Sequence, residues 1–297
     1  MTSKPKSFPA KVMLFGEYTV LHGSEAIALP TSGRQLSGHW EVGHETSPGS
    51  HMLQQWIQYL RETPRKFTAF NFDAFEEDLS EGLLFRSSIP IGYGMGSSGA
   101  LCAAALHRYG HDVDRYSVEE TREILATMES FFHDSSSGLD PLVSYYNRGF
   151  KVCTDGSLSM LDENANQQLN GFYLLDSQKK RKTSEWVNLY MNKCEDATFK
   201  SAMLELLKAQ NRAITAWENN DREAMSKAIS EISLLQWTWM QEWMPESIRP
   251  IWKATLHAEH LSVKLCGAGG GGYFLLFDPD KVYNGRGKLI SLTSSQI

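Results

Sequence analysis

The stretch Ile91-Gly-Tyr-Gly-Met-Gly-Ser-Ser-Gly-Ala100 decides how the rest of this chain is read. From Gly94 to Gly99 it has the spacing G-x-G-x-x-G of a dinucleotide-binding turn. Such a turn follows a parallel strand buried on both faces, which reads as a continuous apolar run into the first glycine. Here the approach is Leu84-Phe-Arg-Ser-Ser-Ile-Pro90, alternating in polarity and ended by a proline. The acidic residues that follow, Asp112 and Asp114, lie in a His/Asp-rich turn and not at the end of an apolar strand. These features disfavour a nicotinamide-dependent oxidoreductase, and the lack of a lysine after the last glycine excludes a Walker A loop. What remains is a glycine loop ending in Ser97-Ser98 and running straight into a helix. Exposed amides and the positive end of a helix dipole make this junction an anion cradle with hydroxyls at hand for Mg2+, or else a tight strand-to-helix turn.

The whole chain narrows the alternatives. At 297 residues, with 41% hydrophobic and 22% charged residues, it reads as a globular protein of two lobes or domains, or of one continuous compact unit. A formal net charge of −6 argues against nucleic acid as a partner, which would require a basic face. The run Lys179-Lys-Arg-Lys182 is the local exception, a solvated loop after a strand or the border of an anionic substrate. Four scattered cysteines, Cys102, Cys153, Cys194 and Cys266, form no C-x-x-C pair and suggest a reducing compartment. With no apolar signal core and no run of 18 apolar residues, a cytoplasmic protein without membrane contact is expected.

The periodicity gives strands over Val12–Phe15, Ala26–Leu29, Leu36–Val42, Phe67–Phe72 and Leu83–Ile89, and helices over His51–Glu62 and Gly99–Tyr109. Ser117-Val-Glu-Glu120 is a capping box opening a helix that reaches about His133. Gly149–Cys153 and Phe172–Asp176 read as strands. A helical segment from Asp196 to Leu261 is broken near Asn219-Asn-Asp221 and at Pro245, and Tyr273–Phe277 and Leu289–Leu292 return to strand. The class is α+β, divided near residue 170 into 1–170 and 171–297. Trp237, Trp239 and Trp243, beside Met240 and Met244, read as core packing with no assigned function.

Two further stretches bear on the glycine loop. Lys264-Leu-Cys-Gly-Ala-Gly-Gly-Gly-Gly-Tyr273 puts five glycines in six positions between strand-like flanks, which suits a turn or a ligand approach. Glu129-Ser-Phe-Phe-His-Asp-Ser-Ser-Ser-Gly-Leu-Asp140 delivers Glu129 near a helix end and Asp140 after a Ser/Gly turn. Two carboxylates so spaced suit a metal ligand and a base, while each alone reads as a capping or solvated acid. His133 reads as a hydrogen-bonding residue, since no set of soft zinc ligands accompanies it.

Together with Pro9-Ala-Lys-Val-Met-Leu-Phe-Gly-Glu-Tyr-Thr-Val-Leu-His-Gly23, these stretches resemble the three ordered motifs of the GHMP kinase superfamily. The segment Lys11–Gly23, and that from Glu129 to Asp140, are similar to those of mevalonate kinases. Tyr18 stands where those enzymes usually have histidine. Tyr93, and Gly99 in place of the usual alanine, look more like phosphomevalonate kinase.

The resemblance implies a two-lobed fold, an N-terminal lobe like ribosomal protein S5 domain 2 and a C-terminal ferredoxin-like α/β lobe. It also implies transfer of the γ-phosphoryl of ATP to an alcohol. Mevalonate is the expected acceptor, with phosphomevalonate, a sugar or an amino-alcohol as alternatives. ATP would lie along Gly92, Tyr93, Gly94, Met95, Gly96, Ser97 and Ser98, and Mg2+ on Ser98 and Glu129. Asp140 would be the catalytic acid–base group and Lys11 its cationic partner. Glu17, Ser137, Thr183, Gly267, Ala268 and Gly269 would face the acceptor. The expected partner is a small alcohol, and the expected state a monomer or homodimer.

Overall fold

In chain order, strands β1 (Phe8–Pro9), β2 (Lys11–Phe15), β3 (Ala26–Pro30) and β4 (Ser37–Val42) precede helices α1 (Pro48–Glu62) and α2 (Phe72–Ser80). Strand β5 (Leu83–Ser87) leads to α3 (Ser97–Tyr109), α4 (Val118–Glu129) and α5 (Leu139–Tyr146). Strands β6 (Phe150–Val152), β7 (Leu158–Met160) and β8 (Phe172–Asp176) precede α6 (Thr183–Lys193), α7 (Ala197–Glu218), α8 (Arg222–Trp239) and α9 (Arg249–Thr255). The last strands are β9 (Ser262–Leu265), β10 (Tyr273–Phe277) and β11 (Leu289–Ser291). This computed structural model describes residues 5–31, 35–43, 48–63, 70–133, 135–285 and 287–293. Among them no helix is long and apolar enough to cross a membrane. The α+β class holds.

Packing divides the chain into two compact units, each assembled from separated segments. The first comprises residues 1–11, 33–90 and 95–148. Its antiparallel sheet has the order β1-β4-β5. Helix α3 is its centre: Gly99–Leu106 are all buried, and the small side chains of Gly99, Ala100, Cys102 and Ala103–Ala105 let neighbouring helices approach closely. Trp56 fastens α1 to the end of α4 through its indole N–H, which donates to the Met128 carbonyl at 3.0 Å. Phe75 of α2 stacks on Tyr109 of α3 at 4.3 Å.

The second unit comprises residues 12–32, 91–94 and 149–297. It holds two four-stranded sheets, β2-β3-β6-β7 and β11-β8-β10-β9. The antiparallel hairpin β9–β10 pairs Leu265 with Phe274, so the third glycine stretch is the loop closing that hairpin. Asp196 and Asp221 cap α7 and α8 by accepting amide hydrogen bonds, which explains the helix break at Asn219–Asp221. The second break falls at Met240, ahead of the expected Pro245. Met240, Trp243 and Met244 are buried, as core packing requires.

Three expectations are corrected. For the strand expected over Phe67–Phe72, the residues 67–69 lie outside those described; Phe70 makes one isolated bridge to Gly110, and Phe72 opens α2. The Asn71 side chain accepts from the Ala74 amide at 3.0 Å, and this cap, with Phe75 and Leu79 on one buried face, selects helix over strand. The helix expected to reach His133 stops at Glu129, where Ser130 caps it. Asp140 sits in the first turn of α5, a helix the Ser/Gly-rich approach concealed.

A buried ion pair anchors the second unit. Lys264 of β9 pairs with Glu17, and both side chains are fully buried. The ammonium also donates to the carbonyls of Leu14 and Leu265, each at 2.8 Å. Gln210 of α7 donates to the other Glu17 oxygen at 2.9 Å and accepts from the Gly16 amide at 3.2 Å. Removing one charge leaves the other buried without its partner, a loss of about 3–5 kcal/mol. Lys264→Met is therefore expected to lower the unfolding free energy by about that amount in urea denaturation, with Lys264→Met/Glu17→Gln recovering part of it. A single variant as stable as the wild type would contradict this account.

Candidate active site

In the first unit the predicted residues converge. Lys11 opens β2, and its amide donates to the Met95 carbonyl at 3.0 Å, joining the strand to the glycine loop. Its ammonium lies 2.8 Å from Asp140 Oδ1, with side chains 8% and 29% exposed respectively. Asp140 is thus the more open member, in the N-terminal turn of α5. Gly99 explains how α5 comes so near α3: a Cβ there would stand 2.8 Å from the Pro141 nitrogen and 2.9 Å from the Asp140 carbonyl carbon. Glycine at this position is a packing requirement.

A second cluster adjoins it. Ser98, in the first turn of α3, donates to Glu129 Oε1 at 2.9 Å, and its oxygen lies 3.1 Å from His133 Nε2. Ser136 donates to Glu129 Oε2 at 2.5 Å. Burial and the charge of Asp140 push the Glu129 carboxyl up to about 7, against the opposing pull of these hydroxyls and of Lys11. Ser137 accepts from the Leu139 amide at 3.3 Å and so belongs to the turn that starts α5.

These residues fit a magnesium ion. Among the described residues no three His, Cys, Asp or Glu side chains form a closed metal cage. Mg2+ does not need one, since it keeps several waters and takes one or two carboxylates together with substrate phosphates. Glu129 is a buried carboxylate with a second carboxylate near, and Ser98 adds a neutral oxygen beside it. The loop also fits phosphate. Gly96, at φ 71°, caps α3 ahead of the amides of Ser97 and Ser98, which point out from a helix N-terminus. Met95 is buried and Ser97 half-buried.

In the second unit, Gly92, Tyr93 and Gly94 meet the basic run directly. The Arg181 amide donates to the Gly92 carbonyl at 2.9 Å, and the Gly272 amide donates to the Lys179 carbonyl at 2.6 Å. The Arg181 guanidinium lies over Gly94, where a Cβ would be 1.9 Å from Nη2, and Nη1 donates to Thr183 Oγ1 at 2.6 Å. A Cβ on Gly267 would be 3.2 Å from the same guanidinium. Lys179–Lys182 is a loop, as read, but its backbone ties the second and third glycine stretches together. Tyr93 packs edge-on against Tyr273 at 5.0 Å.

The remaining candidates lie deeper. Glu17 is inside the unit with both carboxylate oxygens engaged by Lys264 and Gln210. The Ala268 carbonyl, between Gly267 and Gly269, accepts from the Tyr18 hydroxyl at 2.7 Å. That hydroxyl accepts from Trp243 Nε1 at 2.8 Å. Sequence reasoning did not single out Ser136, Arg181 or Trp243. Arg181 carried a signal in its charge run, Ser136 lay unremarked within the Glu129–Asp140 stretch, and Trp243 depends on a contact with the distant Tyr18.

The span 58–148, which holds Ser98, Glu129 and Asp140, matches the family described as GHMP kinases N terminal domain. That span is similar to a GHMP kinase N-terminal domain. A mevalonate kinase of Thermococcus sibiricus is 29% identical over 181 residues, 48% of this chain and 51% of that protein. The chain thus spans about half the length of the curated relatives it matches. The Methanococcus jannaschii mevalonate kinase structure superposes with a TM-score of 0.62 at 16% identity, covering 95% of this chain and 93% of that one. The structure of L. major mevalonate kinase in complex with R-mevalonate gives 0.62 at 16% identity, covering 94% of this chain and 88% of that one. The fold of the GHMP kinases therefore extends well beyond the matched domain.

The Glu129 environment has a measurable consequence. A folded-state value of about 7 against an ordinary 4.5 means that folding favours the protonated carboxyl. The associated stability is present below about pH 4.5 and is lost as pH rises through 7, up to about 3 kcal/mol in all. In thermal melts without Mg2+ or nucleotide, Glu129→Gln should lose less stability than the wild type between pH 5 and 8. Parallel pH profiles would contradict the assignment.

Proposed function

We propose that this chain is an ATP-dependent small-molecule kinase that transfers the γ-phosphoryl group to a hydroxyl, with mevalonate as acceptor and 5-phosphomevalonate as product. The observation that carries the reading is the Lys11–Asp140 pair at 2.8 Å, adjoining the Ser98–Glu129 cluster of the span similar to GHMP kinases. The name of the Thermococcus relative supports mevalonate as the acceptor. The reading includes a cytoplasmic location and action on a free alcohol, as a monomer or homodimer, without nucleic acid or membrane. Residues 1–170 would carry the nucleotide and metal sites, and 171–297 the third glycine motif.

ATP with Mg2+ supplies the activated phosphoryl group when bound. Phosphoryl transfer asks the protein for alignment and charge neutralisation more than for covalent chemistry. The backbone amides from Gly92 to Ser98 would bind phosphate oxygens, and Ser98 and Glu129 would hold the metal. Asp140 would orient the acceptor hydroxyl and take its proton, using the oxygen not paired with Lys11. Lys11 would offset charge building on the transferred group. Thr183, Ser137 and Gly267–Gly269 would face the acceptor. Glu17, held by Lys264, would support that side from within.

The deciding experiment is a coupled ADP-release assay on mevalonate, phosphomevalonate, galactose and homoserine. Mevalonate should give the highest kcat/KM, and Asp140→Asn or Lys11→Met should lower kcat by about 10²–10⁴ while Mg-ATP still raises the melting temperature. Turnover confined to another acceptor, or near-normal kcat in either variant, would sink the reading. Ser98→Ala should need several-fold more Mg2+ for half-maximal rate; an unchanged magnesium titration would remove Ser98 from the metal site.

A further inference from the structure

Tyr18 has a backbone conformation that a bulky side chain rarely adopts, φ 62° and ψ −39°, at the start of the 3-10 turn Thr19–His22. Such outliers persist only where surrounding contacts over-determine them. Here the contacts are specific. The ring stacks on Tyr190 at 4.4 Å and meets Trp243 edge-on at 6.1 Å. The residue is 6% exposed. Its hydroxyl donates its one proton to the Ala268 carbonyl and accepts from the Trp243 indole N–H. Trp243 engages the same loop a second time, its carbonyl accepting from the Gly270 amide at 2.7 Å. Five glycines in six positions give the loop little conformational preference of its own, so its shape is set by whatever grips it.

We propose that Tyr18 is a positioning residue: through the Trp243–Tyr18–Ala268 hydrogen-bond chain it fixes the Gly267–Gly269 backbone against which the acceptor is aligned. The part concerning the acceptor rests on the proposed kinase reading; the part concerning the loop does not. The strained backbone of Tyr18 is what brings its hydroxyl to the loop, and the hydroxyl has no proton left to donate to a substrate. Tyr18 therefore acts on the acceptor side through the loop it holds, not as a donor to the acceptor.

Tyr18→Phe keeps the ring and removes only the hydroxyl. Amide hydrogen exchange followed by mass spectrometry should show the peptide 264–273 exchanging about tenfold faster, with 97–109 and 197–218 unchanged. In the ADP-release assay the KM for the acceptor should rise about tenfold while that for ATP stays within about twofold. Trp243→Phe, which spares the Tyr18–Ala268 bond, should give smaller changes in the same direction, and carries the same readout if Tyr18→Phe does not fold. Unchanged exchange at 264–273, or faster exchange spread evenly over the protein, overturns the proposal. Faster loop exchange with an unaltered acceptor KM overturns its link to the acceptor. If the wild type phosphorylates no acceptor, the kinase reading fails, and the exchange data still decide whether Tyr18 holds the loop.

Discussion

The second unit is organised around an ammonium group with no access to water. All three donors of Lys264 are used, on Glu17 and on the carbonyls of Leu14 and Leu265. A charge so placed tolerates little rearrangement, because any displacement breaks a charge-assisted hydrogen bond where no solvent can replace it. The turn after β2 and the strand entering the third glycine stretch are therefore held in one register. Gln210 extends the constraint to α7 by binding both Glu17 and the Gly16 amide. Tyr18 follows Glu17 directly, so the hydroxyl that reaches Ala268 starts from a fixed point.

The first unit uses charge differently. Lys11 and Asp140 form a part-open pair, while Glu129 is buried among hydroxyls with another carboxylate near. The first arrangement is stable as it stands. The second is short of positive charge, and the surrounding hydroxyls only partly make up the difference. A bound cation would relieve such unfavourable electrostatics, and any metal affinity would then depend on the architecture that raises the carboxyl.

Much of this was legible in the sequence where local chemistry decides the outcome. The capping box at Ser117, the helix start at Asp196, the break near Asp221 and the strands flanking the third glycine stretch all appear as expected, since each depends on residues a few positions apart. The pairing of Lys11 with Asp140 was reached through a resemblance and not through spacing, because 129 positions separate them. Helices α2, α5 and α6 escaped notice for the opposite reason. Phe72, Leu139 and Thr183 begin them behind approaches that read as strand, turn and basic loop, and tertiary packing overrides those local signals. The partners of Tyr18 were likewise invisible: Trp243 reads as one more core aromatic until its indole N–H is seen to end on a hydroxyl.

Gly99 brings no side chain to the site, yet the Asp140–Pro141 backbone leaves it no room for a methyl. An alanine at 99 could be accommodated only if the start of α5 moved outward, taking Asp140 away from Lys11. In a lineage of such proteins the residue at 99 and the seating of α5 must then change together or not at all. A one-carbon difference on a helix face thereby becomes a heritable setting of how closely an acid and its cation stand.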